Sequence, residues 1–311
     1  MCDCLQMTDA LINGGMPFLG TARPPELDGI AELRRALIER RVVRMMRNTF
    51  RDARVPDTRD VRVAAIALHA PKDAVIADDT VAWLQGVDTN DPRDRFRLAP
   101  SLIVPNHAVR PRHSVVRVRE GTIDERDIVE VDGLRMQTNL RATADMLRLK
   151  WRPNAMAAAD AMCRSGLVDK DELVEFLRPL RRIPGIPQAR QLVGLVDSRS
   201  TLWGESVLKL RLVDAGFPLP ELQYEVSDPR IGVRFLDCAY VELLVAVEYD
   251  GREFHTAEPD RQHDEDRRTQ LSEIFGWRWE VARRENLIGA DDSMEWRVGE
   301  FLGLTPRPRW W

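Results

Sequence analysis

The chain has 311 residues, 44% hydrophobic and 31% charged, which suits two or three soluble globular domains rather than one core. No apolar run approaches the ~20 residues of a membrane span, and Met1–Gly20 carries no Lys or Arg, so neither a transmembrane helix nor a secretory signal is expected. The net charge of −4 does not advertise a nucleic-acid binder, and Cys2, Cys4, Cys163 and Cys238 form neither a C-x-x-C pair nor a disulfide framework, which fits a reducing cytoplasm.

Leu27, Ile30, Leu33, Leu37 and Ile38 place a helical apolar stripe on Glu26–Arg40, and the basic, β-compatible Val42–Phe50 follows it. A helix followed by a basic ribbon fits the end of a small winged-helix unit. Met1–Pro25, rich in Gly and Pro, leaves little room for the helices that would precede it. Between Glu32 and Arg62 ten arginines face five carboxylates, so the stretch is locally basic. A phosphate-binding patch and a solvated helix face explain this equally well. Lysine is confined to Lys72, Lys150, Lys170 and Lys209, a bias that fits GC-rich coding better than a binding mechanism.

Asp60–His69 and Asp79–Leu84 read as short helices, with Ala74–Ala77 between them as strand or turn. Phe96–Val104 and Ser114–Val118 are strand-like. Val129–Val131 and Leu134–Gln137 flank Asp132-Gly133, a hairpin turn signal. Helices are expected at Thr138–Leu149, Ala155–Cys163 and Lys170–Leu177, and at Gln188–Val196 after the break Pro184-Gly185-Ile186-Pro187. The last third has the order α-β-β-β-α-β. Helix Ser200–Ala215, with Ser200 or Thr201 as N-cap, leads to strands Glu221–Val226, Val233–Tyr240 and Leu243–Asp250. A helix from Pro259 to Phe275, strand Trp277–Ala282 and a closing helix Asp291–Leu302 complete it.

Strand side chains alternate, so Glu248 and Asp250 share a face at the end of an apolar strand. A turn near Glu242 places Asp237 opposite Glu248, where Cβ atoms lie about 4.5–5.5 Å apart. Three carboxylates this close repel unless a cation neutralises them. Hard oxygen ligands with open positions suit Mg²⁺ or Mn²⁺, and such a centre can activate water and polarise a phosphodiester. A solvated acidic strand end is the plainer alternative. His255 returns an imidazole to the exit of this strand. Arg261, Asp264 and Arg267 then recur every three residues on one helix face, so Arg267 could clamp a phosphate and Asp264 could orient it or His255. A surface ion-pair ladder has the same spacing.

These segments, from Leu202-Trp203-Gly204-Glu205 through Gly216-Phe217-Pro218, Pro220…Gln223, GVRFLDCAY and VAVEYDG to Gly276-Trp277, resemble the domain family related to very-short-patch-repair endonucleases, within the PD-(D/E)xK superfamily. The resemblance implies an α/β restriction-endonuclease-like core that hydrolyses DNA phosphodiesters with Mg²⁺ or Mn²⁺. It places Glu205, Asp237, Glu248 and Asp250 near the metal, with Asp237, Glu248 and Asp250 as ligands. It makes His255 the candidate general acid or base, Arg267 the group that stabilises phosphate charge, and Asp264 its support. The sequence departs from the pattern at two points. Asp250 stands where the superfamily name implies a lysine, as is common in this branch, which leaves water orientation to His255 or Glu205. Arg234 and Asp237 are spaced more widely than usual, which calls for a register shift or bulge.

The front half, through VVRMMRNTFRD, VRVAAIALHAP…AVIADDTVAWLQGV and VDGLRMQTNLRATADMLR, resembles the AbiEi-type antitoxin family, regulator-like proteins with a winged-helix head. That resemblance implies DNA binding, with Arg41, Arg44, Arg47 and Arg51 as phosphate contacts. The expected fold is α/β (α+β): a partial winged-helix head at 1–60, an AbiEi-like domain at 61–150, a helical connector at 151–199 and a nuclease domain at 200–311. The expected function is a metal-dependent endonuclease, in phage defence or a toxin–antitoxin-like system. The rival is a non-catalytic DNA-binding regulator carrying a decayed nuclease fold; cleavage of RNA or tRNA is a third reading. DNA is the expected partner, a homodimer stays open, and neither a membrane nor a small-molecule cofactor is expected.

Overall fold

The computed structural model describes residues 10–94, 97–106, 115–251 and 258–311, and the side chains of 258–266 are not among these. The chain divides into two units, Met1–Asp145 and Met146–Trp311. Among the described residues, no helix is long and apolar enough to cross a membrane.

The first unit opens with β1 (Phe18–Leu19), α1 (Gly29–Ile38), β2 (Val42–Met46) and β3 (Thr49–Asp52). The strands form an antiparallel sheet in the order β1-β3-β2. Leu33 and Ala36 of α1 pack with Leu27 against Phe18, Val42 and Phe50. Ile30 and Ile38, expected in the buried stripe, are 59% and 82% exposed. A ten-residue helix on so small a sheet covers a narrower stripe than the sequence periodicity suggested. Among the described residues, the only helical turns before α1 are two short 3-10 turns, Ile12–Gly15 and Pro25–Leu27.

There follow α2 (Arg59–Ala67), β4 (Val75–Ile76), α3 (Asp79–Leu84), β5 (Ser101–Val104), β6 (Arg117–Glu120), β7 (Ile128–Val131), β8 (Leu134–Gln137) and α4 (Asn139–Leu149). The strands form a mixed sheet, β6-β5-β4-β8-β7, over a core that includes Met46, Ile66, Ile76, Leu102 and Met136. The strand expected from Phe96 begins only at Ser101, after Pro100, whose ring removes a ladder donor. The strand expected at Ser114–Val118 lies at Arg117–Glu120. Asp132 and Gly133 turn the β7–β8 hairpin with φ of 52° and 76°, both left-handed as a tight hairpin turn requires.

The second unit begins with α5 (Arg152–Arg164), α6 (Lys170–Leu177) and α7 (Ile186–Val193), followed by α8 (Trp203–Asp214). Helices α5 to α7 are therefore part of this unit. Ala155, Ala158 and Ala159 are fully buried on α5, and small side chains let a neighbouring helix approach closely. Between α5 and α8, Lys209 Nζ reaches Asp160 Oδ2 at 2.7 Å, with neither side chain exposed.

Next come β9 (Glu221–Asp228), β10 (Gly232–Tyr240), β11 (Val245–Tyr249), α9 (Glu258–Phe275), β12 (Arg278–Ala282), α10 (Arg284–Leu287) and α11 (Ser293–Leu302). The sheet order is β12-β11-β10-β9, antiparallel except for the parallel β11–β12 pair. Cys238, Tyr240, Val245 and Val247 pack with Leu208 and Leu212 of α8 and with Met294 and Val298 of α11. Ala239 and Ala246 pack on the other face with Leu271 of α9. The α8-β9-β10-β11-α9-β12 order matches the order expected from sequence, and α10 is an addition to it. The chain is an α/β protein.

Candidate functional site

The pairing of β9 with β10 joins Leu236 to Tyr224 and Cys238 to Leu222, but skips Asp237 and Gln223. Gln223 has a φ of 50°, which is rare for a residue with a side chain. Simple alternation would put Leu222 and Tyr224 on one face, and Leu236 and Cys238 likewise. Instead Leu222 and Cys238 join the core under α8, while Tyr224 and Leu236 join the core under α9. Each strand thus carries one irregular residue at the same level. The register is the same on either side, and the faces exchange.

This exchange brings two acids together. The amide nitrogen of Gln223 donates to Asp237 Oδ1 and to Glu205 Oε2, at 3.2 Å each. Asp237 Oδ2 also accepts the Tyr249 N–H at 2.9 Å. Glu205 accepts the Thr201 N–H at 2.7 Å and the Thr201 hydroxyl at 2.8 Å. Ser200 or Thr201 is the cap expected for α8, but that helix starts at Trp203 and its N-cap position, Leu202, makes no side-chain cap bond. Gly204 sets the helix against the sheet, since a β-carbon there would lie 2.0 Å from the Tyr249 ring.

Burial raises the pKa of Asp237. Burial also raises that of Glu205, and the Asp237 charge adds to the effect. Both acids are therefore charged at a cost that Gln223, a neutral donor, only partly offsets.

Glu248 lies on the α9 face, as the alternation with Val247 requires. Arg267 Nη2 holds Oε1 at 2.6 Å, and Arg268 Nη1 lies 3.4 Å from Oε2. Burial raises its pKa, Arg267 counters this, and Asp237 adds to it. Asp237 therefore acts on Glu205 and on Glu248 alike. The β10–β11 register, with Cys238 opposite Val247, centres the turn near Glu242 as expected. The Asp250 N–H donates to Ala282 O at 2.8 Å, and its carboxylate lies 3.7 Å from Arg283 Nε. Among the described residues, no three His, Cys, Asp or Glu side chains form a group that could hold a metal ion. His255 and the side chain of Asp264 lie outside the described residues.

Two proteins of Mycobacterium tuberculosis, the uncharacterized proteins MT2308 (strain CDC 1551 / Oshkosh) and Rv2248 (strain ATCC 25618 / H37Rv), are each 30% identical to this chain over 217 residues. The match covers 70% of this chain and 76% of either relative. The chain belongs to their family. No protein-family model matches it.

In this family member the four arginines expected to meet phosphate differ in their surroundings. Arg41 is held by Glu32 at 2.7 Å and Glu39 at 2.8 Å. Arg44 lies over the Phe50 ring, 5.4 Å from its centroid. Arg51 donates to the backbone carbonyls of Asp52 and Val55. Arg47 is exposed. Gln223, Thr201 and Arg268 are the site residues that sequence reasoning missed. Gln223 stood within a quoted motif, but its bridging role depends on a backbone turn that no local pattern signals.

Proposed function

We propose that the second unit hydrolyses DNA phosphodiesters with a divalent cation, Mg²⁺ or Mn²⁺. The observation that carries this reading is the pair Glu205–Asp237, a buried and a half-buried acid joined through the neutral amide of Gln223. A buried charge kept for stability is ordinarily paired, as Asp160 is with Lys209. Two oxygen donors with surplus negative charge fit a hard cation. Glu248 fits less readily, because two arginines already occupy it.

Glu205 and Asp237 would hold the cation, with Glu248 joining them once its arginines turn to the substrate. A cation so held supplies Lewis-acid polarisation of the phosphate and a more acidic water. Arg267 and Arg268 offer the phosphate two guanidinium forks in exchange for Glu248. Thr201 fixes both oxygens of Glu205, so the carboxylate is oriented before substrate arrives. Burial and the Asp237 charge raise its pKa, which makes it a stronger base than an exposed carboxylate. His255 remains a candidate acid or base from the family resemblance. A role in phage defence or a toxin–antitoxin-like system rests on the resemblance of the two halves alone.

The double arginine clamp on Glu248, and the lack of a three-residue metal-binding group among the described residues, favour a second reading: a DNA-binding regulator on a decayed nuclease fold. Purified protein incubated with supercoiled plasmid and with RNA, in Mg²⁺, Mn²⁺ or chelator, separates the two. The nuclease reading expects nicked or linear plasmid with metal and none with chelator. No cleavage under any divalent metal, with DNA retained equally in chelator, would leave the regulator. Cleavage of RNA alone would change the substrate.

A further inference from the structure

In the first unit, guanidinium groups mostly have carboxylate partners. Arg41 pairs with Glu32, Arg54 with Asp52, Arg59 with Asp132, Arg62 with Asp57, Arg119 with Asp78 and Arg141 with Asp127. Arg44 and Arg51 differ. Among the described residues neither meets a carboxylate: Arg44 rests over Phe50 and Arg51 donates to two carbonyls. Both line the same pocket of about 300 Å³, beside the β2–β3 hairpin. An opposite wall is fixed. Arg62 donates to both oxygens of Asp57 at 2.8 Å and lies over Trp83, 5.1 Å from the ring centroid.

We infer that this pocket binds a phosphate-bearing nucleotide unit, either a free mononucleotide or the 5′-terminal nucleotide of a strand. Three arginines and two carboxylates, Asp57 and Asp88, line the pocket; Asp57 is held by Arg62, so the lining keeps a positive surplus around Arg44 and Arg51 for a phosphate monoester, which carries about −1.5 to −2 at neutral pH. Guanidinium forks also suit phosphate oxygens in geometry. The volume decides against a bare ion. It sits at the lower end of the ~300–1,000 Å³ range of small-molecule sites and equals about ten waters at ~30 Å³ each. The remainder of the wall suits an organic body: Trp83, Met45 and Leu98 are apolar, and Asn90 offers hydrogen bonds. Arg44 and Arg51, expected from the family resemblance as contacts to a DNA backbone, here line a pocket instead. The inference does not rest on the nuclease reading, since no residue of the acidic site lines the pocket.

The test is calorimetric titration of the full chain, in chelator and low salt, with AMP, adenosine, inorganic phosphate and a short oligonucleotide with or without a 5′-phosphate. Saturable binding of AMP, with adenosine at least about tenfold weaker, is expected from charge-assisted bonds to two arginines. Arg44→Ala/Arg51→Ala should abolish binding, and Arg44→Lys/Arg51→Lys should retain part of it. Should the double alanine variant unfold, Arg44→Gln, at an exposed position, must still weaken AMP binding. An oligonucleotide that displaces AMP only when 5′-phosphorylated identifies a strand end as the ligand; one that never displaces it identifies the free nucleotide. No saturable binding of either AMP or the phosphorylated oligonucleotide overturns the proposal. So does equal binding of AMP and adenosine, or unchanged binding by a folded double alanine variant.

Discussion

Asp52 in the first unit, buried, and Asp237 in the second, half-buried, both accept backbone N–H groups, yet their surroundings push them in opposite directions. Asp52 receives the Arg54 guanidinium on both oxygens, together with the N–H groups of Ile12 and Arg54. The Arg54 side chain holds it well below the usual carboxylate range. Among the described residues Asp237 receives the Tyr249 N–H and the Gln223 amide; burial lifts it, and the charge of Arg267 opposes this without touching the carboxylate. A carboxylate with a cation of its own is finished as a structural element. One left with neutral donors beside a second acid keeps charge in reserve for something that binds.

The largest expected effect is on Asp237. Under the nuclease reading, Asp237→Asn should cut plasmid cleavage by about 10³-fold, since a lost metal contact forfeits several kcal/mol at tenfold per ~1.4 kcal/mol. Cleavage within tenfold of wild type would make Asp237 a structural acid like Asp52. Next is the compensated pair of the second unit. Lys209→Ala leaves Asp160 buried without its cation and should destabilise that unit by about 3–5 kcal/mol in urea unfolding. A loss below ~1 kcal/mol would show that water reaches the pair.

A smaller effect is expected in the first unit, where Asp52→Ala leaves the Ile12 N–H without its acceptor, at a cost of about 1–3 kcal/mol. Hydrogen exchange at Ile12 should report it, and unchanged protection there would count against the assignment.

The subtlest prediction concerns pH. The pKa values of Glu205 and Asp237 are raised on folding, so their contribution is full below the unfolded value and falls as pH rises through the folded one. Asp52 is lowered, so its contribution is present above the unfolded value and is lost as pH falls through the folded one. Acidification from neutral pH towards the unfolded carboxylate range of about 4 should therefore tighten exchange around β10 and α8, and Glu205→Gln should flatten that response. Loosening of α8 over this range in wild type would contradict the raised pKa values.

Much of the second unit could be read from its residues. Alternation along Leu243–Asp250 separates Glu248 from Val247, and they do face different cores. Helix Lys170–Leu177, like Asp79–Leu84 in the first unit, occupies the expected residues, where apolar spacing and flanking breaks agree. What stayed hidden depends on contacts distant in sequence. The three-residue spacing through Arg267 passes over Arg268, which reaches Glu248 because α9 crosses behind the sheet. Thr201 looked like a helix cap because local spacing cannot show that α8 begins two residues later. The exchange of faces at Gln223 and Asp237 needs a left-handed residue with a side chain, and strand propensity gives no sign of one.

Gly204 shows how the two acids keep their separation. Its neighbour Glu205 is carried by the main chain of α8, while the N–H that holds Asp237 belongs to Tyr249, whose ring abuts that main chain where a β-carbon would stand. The gap is set by the thickness of one aromatic ring against bare backbone. Gly204 has no side chain to swing aside, and the Tyr249 ring is packed against the core under α8, so side-chain motion does little to widen the gap. Helix and strand must part as whole elements before the carboxylates do, and the site inherits the stiffness of the fold around it.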